Sequence, residues 1–145
     1  MTSKRIQRLV RIKKLVEDGH ARELFDRQEG LRSAREREAI TRSHLVQLDA
    51  TAAQLQGSAA DLRLVAEYEA SLLSKVEAEG KVVLEREVHV EAGRERVTEA
   101  WRDRRLMETV QNRVVLSETD QRERGERKVL DAIALDAYAS ARRNG

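Results

Sequence analysis

Cysteine and proline are both missing from this 145-residue sequence, and aromatic residues make up only 3% of it. Without cysteine the chain can form no disulfide framework and carries no thiolate chemistry, which suits a reducing cytosol. Without proline nothing forbids very long helices. A globular domain of this length normally buries more aromatic area than four large rings provide, so the composition disfavours a compact core.

Long apolar runs are also missing. None approaches the ~20 residues of a membrane span, and the N-terminus, MTSKRIQRLVRIKKLV, has no apolar secretory segment. That stretch is rich in Arg and Lys and has no acidic residue before Glu17, but it flows without a break into the helical pattern. We therefore expect it to form part of the first helix of the mature protein.

The sequence is rich instead in charge and in helix-forming residues. Charged residues make up 37% of the chain, while the regular spacing of the apolar residues argues against intrinsic disorder. Residues 1–55 carry a net charge of +4 (12 Lys/Arg, 8 Asp/Glu), residues 56–100 carry −4 (6 and 10) and residues 101–145 carry +2 (10 and 8). A chain that folds back on itself would place the acidic middle beside the basic first segment.

Apolar residues recur at alternating spacings of three and four, which is the pattern of a coiled coil. One heptad frame from Leu45 to Val97 has 16 core positions, of which 12 are apolar, where the 40% apolar content would give about six. The apolar positions are Leu45, Leu48, Ala52, Leu55, Ala59, Leu62, Ala66, Leu73, Val76, Val83, Val90 and Val97, and the exceptions are Glu69, Gly80, Glu87 and Arg94.

Outside this stretch the same frame is weaker. Before Leu45 it includes Leu24, Leu31 and Ala34. After Trp101 we expect it to slip, because Leu106, Val110 and Val114 follow a spacing of four, which locally unwinds a supercoil.

The best break in the helical pattern is Gln56-Gly57-Ser58. Gly57 can end one helix, and Ser58 can cap the next with Asp61 at capping-box spacing. We therefore predict an all-α fold, a long antiparallel two-helix coiled-coil hairpin that forms a single domain over residues 1–145. Its first helix would span about 3–55, its turn about 56–58 and its second helix about 59–141, so that residue i faces roughly residue 116 minus i. Because the heptad frame runs through Gly57 without a shift, a parallel dimer of uninterrupted helices stays open.

About 30 C-terminal residues would then extend past the N-terminal helix. Residues 119–128 contain no apolar side chain, and they lead into an amphipathic patch formed by Val129, Leu130, Ile133, Ala137 and Tyr138. We expect this segment to dock into a partner, or to pair with the N-terminal segment if the turn lies elsewhere, and to be weakly ordered without a partner.

Signals for catalysis are missing. Gly80-Lys81 lacks the other elements of a phosphate loop, and His20, His44 and His89 are far apart. The carboxylates alternate with Arg and Lys, as on solvated helix surfaces. We therefore expect no enzyme activity, metal or cofactor. Six cations lie in the first helix without interleaved aromatics, which favours a solvated face or an acidic partner over nucleic acid; they are Lys4, Arg5, Arg8, Arg11, Lys13 and Lys14.

The second half of the chain carries a family resemblance. Its features are the stretch AWRDRRL from Ala100 to Leu106, the stretch RGERKVLDAIA from Arg124 to Ala134, and Tyr68, which precedes Trp101 by 33 residues. Together they resemble the FliJ family of flagellar type III export proteins, relatives of the YscO-type injectisome proteins. The resemblance covers most of residues 60–141 and the first helix only in character.

The resemblance implies an antiparallel coiled coil similar to the stalk of a rotary ATPase. Such a protein would be cytoplasmic, and peripheral at the inner-membrane export apparatus only through its partners. Those partners would be the hexameric export ATPase, the cytoplasmic domain of the export gate and export chaperones. The protein would enter the ATPase ring, promote its assembly and activity, and escort chaperones to the gate. A homologous injectisome stalk and a self-assembling structural coiled coil are the alternatives.

The resemblance also implies where these partners bind. The ATPase ring would meet charged groups at the terminal end of the hairpin, namely Arg5, Arg8, Arg11, Lys14, Arg124, Arg127 and Lys128. The export gate would meet Leu72, Val76 and Val83, although Val76 and Val83 also occupy the heptad frame and are expected to pack against the first helix. Trp101 is expected to be a packing anchor.

Overall fold

Two long helices form the protein. The computed structural model describes residues 2–54 and 57–145, and in that part of the chain it contains no strand. Helix α1 spans Ser3–Gln54 and helix α2 spans Ala59–Asn144, and they pack against each other as the predicted all-α helical hairpin. Leu55, which the sequence placed in the first helix and its heptad frame, and Gln56 of the predicted turn lie outside the described residues.

A capping box starts α2, as the sequence predicted. The backbone N–H of Asp61 donates to Ser58 Oγ over 3.3 Å, and Asp61 Oδ2 accepts from the backbone N–H and the hydroxyl of Ser58 over 3.2 and 3.1 Å. These bonds give partners to N–H groups that a helix start leaves without an intrahelical acceptor. The start of α2 is therefore fixed by its own residues.

Gly57 serves this cap in a way that the sequence did not indicate. No residue in the described ranges has a positive φ, so Gly57 does not adopt the left-handed conformation of a helix-ending glycine. A Cβ atom at position 57 would instead lie 3.0 Å from Asp61 Cβ and 3.1 Å from Asp61 Oδ2. Gly57 thus leaves room for the Asp61 side chain.

The chain divides into two compact units, each of which contains parts of both helices. Unit 1 comprises the residues up to Val16 together with Ala100–Gly145, and unit 2 comprises Glu17–Glu99. That the whole chain forms one domain stays a prediction.

Unit 2 shows the antiparallel pairing directly. Arg35 Nη2 lies 3.1 Å from Glu87 Oε1, and Arg27 Nη1 donates to the backbone oxygen of His89 over 2.9 Å. The residue numbers of these pairs add to 122 and 116, so the pairing lies close to the predicted register of 116 minus i.

Unit 1 follows the same register. Lys13 Nζ lies 3.6 Å from Asp103 Oδ2, and the backbone N–H of Ser3 donates to Glu118 Oε1 over 3.0 Å. These numbers add to 116 and 121. Because α1 begins at Ser3, the pairing of the two helices within unit 1 reaches α2 as far as Glu118.

The contact between the helices follows one narrow strip on each of them, which we call the seam. On α1 the seam residues are buried or half-buried at spacings of three and four. In unit 1 they are Ile6, Val10 and Lys13, and in unit 2 they are Glu17, His20, Leu24, Arg27, Leu31, Ala34, Glu38, Thr41, Leu45, Leu48 and Ala52. The membership predicted for Leu24, Leu31 and Ala34 is therefore confirmed.

The seam of α2 has the same spacing apart from one gap of seven between Val83 and Val90, where Arg86 and Glu87 are exposed. Its buried or half-buried members in unit 2 are Val65, Glu69, Leu72, Val76, Glu79, Val83, Val90, Gly93 and Val97, and in unit 1 they are Ala100, Arg104, Met107, Gln111 and Val114. Every second position of the predicted frame is confirmed, from Glu69 to Val97. Two of the alternate positions are shifted by one residue, from Leu73 to Leu72 and from Arg94 to Gly93. Leu72 is 5% exposed, whereas Leu73, which the frame had assigned to the core, is 51% exposed.

Two further regions differ from this frame. Past Trp101 the spacing of three and four continues through Arg104, Met107, Gln111 and Val114. Of the residues expected to mark a slip, Val110 and Val114 are half-buried, whereas Leu106 is 65% exposed. At the start of α2, Ala59, Leu62 and Ala66 are exposed although the frame placed them in the core. In both regions the frame was chosen from the spacing of apolar side chains. In the structure, contacts along the rest of the seam set the orientation of the helix and turn several of these side chains toward solvent.

Few apolar side chains are fully buried. A cluster of Leu31, Ala34, Val83 and Val90, with Leu24 packed against it, forms the core of unit 2. The buried hydroxyl of Thr41 donates to the backbone oxygen of Arg37 over 3.1 Å, so it is satisfied within its own helix. Much of the seam is therefore polar, and its long side chains contribute their aliphatic stems.

The end of α2 has no α1 residue beside it. The helix continues to Asn144, three residues beyond the predicted end, and residues 120–145 are exposed apart from the half-buried Ala139. The apolar patch of Val129, Leu130, Ile133 and Tyr138 is exposed as well.

This difference predicts uneven amide exchange. A helix that packs against nothing opens locally at little cost, so the amides of residues 120–144 should exchange with solvent faster than those of residues 72–97. Hydrogen exchange followed by mass spectrometry measures both segments in one experiment. Equal protection of the two segments would contradict the expectation.

Two glycines of unit 2 should respond differently to alanine. A Cβ at Gly80 would meet nothing within 4 Å, so Gly80→Ala should raise the free energy of unfolding by about 0.5–1 kcal/mol through helix propensity. A Cβ at Gly93 would lie 3.2 Å from Leu24 Cδ1 and 3.3 Å from Arg27 Cδ, so Gly93→Ala should gain less or lose stability. Urea unfolding followed by circular dichroism compares them, and an equal gain in both variants would contradict this.

Candidate binding surfaces

The first turns of α1 present a cationic surface in unit 1. At 100° per residue, Lys4, Arg5, Arg8 and Arg11 fall within roughly 120° on the side of α1 opposite Ile6, and all four are exposed. Ile12 and Leu15 lie on the same side and are exposed too. These six residues, which we call the α1 outer face, include no carboxylate.

The paired part of α2 in unit 1 has a similar surface. On the side opposite Ala100 and Met107 lies the α2 outer face, whose exposed residues are Arg102, Arg105, Leu106, Thr109, Asn112, Arg113 and Leu116. It contains three arginines and two leucines and no carboxylate. Both helices of unit 1 therefore present cationic surfaces interspersed with aliphatic side chains, facing away from the seam on opposite sides.

The carboxylates of this region are held beside the seam by partners. Asp103 pairs with Lys13, and Glu108 accepts from Arg104 and Arg105. Glu118 accepts from the backbone N–H of Ser3. These contacts keep the carboxylates off the two outer faces, although one outer-face cation, Arg105, is itself paired with Glu108.

Charge is also separated between the units. Unit 1 has 16 Lys/Arg and 8 Asp/Glu, which gives a net charge of +8, whereas unit 2 has 12 and 18, which gives −6. The near-neutral total of +2 conceals this separation. Lys14, another of the predicted ATPase-binding residues, is exposed on the flank of α1 and also belongs to unit 1.

The predicted ATPase-binding residues do not form one cluster. Arg124, Arg127 and Lys128 are exposed on the part of α2 that lies beyond Glu118, and Arg124 pairs with Asp120 over 2.9 Å. Because Ser3 contacts Glu118, these three residues lie roughly 9–15 Å further along α2 than the end of α1. The structure thus places them in the same unit as Arg5, Arg8 and Arg11 but does not bring them together.

The predicted gate-binding residues belong to the seam. Leu72 and Val83 are buried and Val76 is half-buried, all on the side of α2 that packs against α1. That Leu72 meets the export gate stays a prediction, and α1 occupies that side of α2 while the helices are paired. For Val76 and Val83 the packing role that the sequence favoured agrees with their burial.

Trp101 is not a buried anchor. Its ring is 47% exposed, and the guanidinium of Arg105 lies 5.9 Å from the ring centre, within cation–π distance. The reason is its position, because Trp101 follows the buried seam residue Ala100 by one residue and so projects to the flank of α2. In the sequence, only the size of the ring distinguishes Trp101 from its neighbour Ala100.

A shallow groove in unit 2 is lined by both helices. It encloses about 210 Å³ between Gly30, Ser33, Ala34, Arg37, Glu79, Val82 and Arg86. Glu79 Oε2 is buried there without a hydrogen-bond partner. The Arg86 guanidinium lies over Gly30, with Nη1 3.4 Å from the position of a Cβ at that glycine.

Across residues 2–54 and 57–145, no group of three or more His, Cys, Asp or Glu residues could hold a metal ion. None of the described helices is long and apolar enough to cross a membrane.

One titratable group in unit 1 reports directly on helix pairing. The hydrogen bond from the Ser3 backbone N–H holds the pKa of the Glu118 carboxyl below its usual range, because it stabilises the charged form. Since the folded-state pKa is the lower one, this bond contributes to stability above the unfolded-state pKa. The contribution is lost as the pH falls through the folded-state pKa.

We expect this depressed pKa to be measurable. A carbon-detected NMR titration should give Glu118 a pKa below the usual value of a glutamate side chain. Replacing Ser3 with proline removes the donor and should return the pKa of Glu118 toward its usual value. Identical pKa values of Glu118 in the unaltered protein and in the Ser3→Pro variant would contradict the pairing of Ser3 with Glu118.

No protein-family model, no curated protein and no solved structure matches this chain.

Proposed function

We propose that the protein is a cytoplasmic stalk of a type III protein export machine, in which unit 1 enters the central hole of the hexameric export ATPase. The observation that carries this proposal is the pair of outer faces in unit 1. Both lack carboxylates, both combine arginines with exposed aliphatic side chains, and they face opposite directions. A partner that lies on one side of the hairpin would use one face, whereas a ring that encloses the hairpin would use both.

The sequence supports the same role. The AWRDRRL stretch that resembles the FliJ family lies in unit 1 and contributes Arg102, Arg105 and Leu106 to the α2 outer face. The ring surface that fits these faces would be acidic with apolar patches, since charge complementarity steers association and specifies partners. Inserted in this way, unit 1 would contact several subunits at once and promote ring assembly and ATP turnover.

Unit 2 would remain outside the ring in this proposal, available to the export gate and to chaperones. While α1 and α2 are paired, Leu72 and Val83 are occupied by the seam. Gate binding would therefore use exposed neighbours on α2, such as Leu73 and Leu84. A homologous injectisome machine offers the same kinds of partner, so the stalk role applies to either system.

The first test follows ATP turnover and ring size together while this protein is titrated into the purified export ATPase of the same organism. Turnover should rise and hexamers should accumulate at micromolar concentrations. The double variant Arg5→Glu/Arg8→Glu should need at least about tenfold more protein for half-maximal stimulation, because reversed charges meet an acidic surface.

A matched control separates this effect from a general change in charge. The double variant Arg22→Glu/Arg63→Glu alters the net charge equally, but its exposed arginines belong to unit 2. It should stimulate the ATPase like the unaltered protein. Equal loss in both double variants, or no stimulation by the unaltered protein, would argue against insertion of unit 1 and in favour of a structural coiled coil.

A further inference from the structure

The two units carry opposite charges and both leave apolar side chains in solvent. Unit 1 carries +8 and unit 2 carries −6. Exposed large apolar residues occur in each, for example Leu15, Leu106 and Leu116 in unit 1 and Leu64, Leu84 and Val88 in unit 2. Each unit thus presents the combination of surface apolar groups and net charge that complements the other.

The number of exposed apolar side chains points the same way. Among the described residues, the buried apolar side chains number seven and the exposed large apolar side chains number 22. Ile12 and Leu15 lie together on the α1 outer face, and neighbouring exposed apolar side chains are typical of an interaction surface.

A partner with a single sign of charge would fit only one unit. An acidic protein or a nucleic acid would complement unit 1 and be repelled by unit 2, and a basic partner would do the reverse. A second copy of this chain offers both signs at once, and two-fold symmetry lets both complementary contacts form in a closed pair.

We propose that two copies of this protein associate with two-fold symmetry, so that the cationic unit 1 of each copy lies against the acidic unit 2 of the other. The α1 outer face supplies Lys4, Arg5, Arg8 and Arg11. Exposed carboxylates on the side of α2 that faces away from the seam supply the opposite charge in unit 2; they are Glu67, Glu85, Glu95 and Glu99. Apolar residues that each unit exposes in a single copy become buried at the contact, next to these charges.

This association goes beyond the stalk role and does not depend on it. The pair covers the α1 outer face, which is also the surface that the export ATPase would use. Self-association and ring insertion would therefore compete, and the pair would be a storage form of the stalk.

Salt provides the first measurement, with sedimentation velocity of the full chain as the readout. Raising the ionic strength from about 0.05 M to about 0.5 M shortens the Debye length from roughly 14 Å to roughly 4 Å. The dissociation constant of the pair should rise at least about tenfold. The proposal would be overturned if the protein stays monomeric at low salt and about 0.1 mM, or if the dissociation constant of the pair does not change with salt.

A charge exchange between copies provides the decisive measurement. In variant A, Lys4→Glu, Arg5→Glu, Arg8→Glu and Arg11→Glu lower the net charge of unit 1 from +8 to zero, since each reversal changes it by two. In variant B, Glu67→Lys, Glu85→Lys, Glu95→Lys and Glu99→Lys raise the net charge of unit 2 from −6 to +2.

Each variant alone should be monomeric, because in both of its contacts the two facing surfaces would carry charge of the same sign. An equimolar mixture should form pairs, because unit 2 of A and unit 1 of B keep their native charges and attract each other.

Circular dichroism confirms that both variants remain helical. If one variant fails to fold, the salt dependence of the unaltered protein decides alone. Pairs in either variant with an unchanged dissociation constant, or a mixture that stays monomeric, would overturn the proposal. A monomeric unaltered protein that binds an acidic polymer would assign unit 1 to another class of partner.

Discussion

The contact between two narrow helix strips determines everything else about this protein. Each helix offers one side chain every three or four residues to the other, and many of these are polar, among them Glu38, Glu79 and Arg104. The long polar side chains contribute aliphatic stems to the contact while their charged ends reach solvent. Because so little of each helix is covered, the seam fixes the register and leaves broad outer surfaces available for partners.

Local signals in the sequence were sufficient for the helices, the capping box at Ser58 and the approximate register. The choice between Leu72 and Leu73 was not local. Counting apolar residues favoured a frame through Leu73, but the seam passes through Leu72, Glu79 and Gly93. At Gly93 the facing α1 side chains come so close that a side chain there would be crowded. The seam after Trp101 likewise leaves Leu106 exposed. The orientation of α2 depends on α1, so it cannot be derived from the apolar residues of α2 alone.

The candidate surfaces show a similar division. Exposure of Arg5, Arg8 and Arg11 could be anticipated from their charge, whereas the role of Leu72 depended on the shifted seam. Successive thirds of the sequence carry +4, −4 and +2. Most of the +8 of unit 1 comes from the first 16 residues, which hold six Lys/Arg and no acidic residue, and the fold adds the +2 of the last 46 residues. Division into fixed thirds hid this charge, because it averaged the first 16 residues with the acidic residues that follow them.

The distances along the chain that the seam bridges also set an order of events. Arg35 and Glu87 are 52 residues apart, whereas Ser3 and Glu118 are 115 apart. Once the inner pairs have formed, each further pair closes only a short additional loop, so the helices zip together from the Ser58 cap toward Ser3. Opening runs in the reverse direction and begins with unit 1. The part of the molecule with the cationic faces is therefore the last to close and the first to come apart, while the helix pairs nearer the Ser58 cap stay closed.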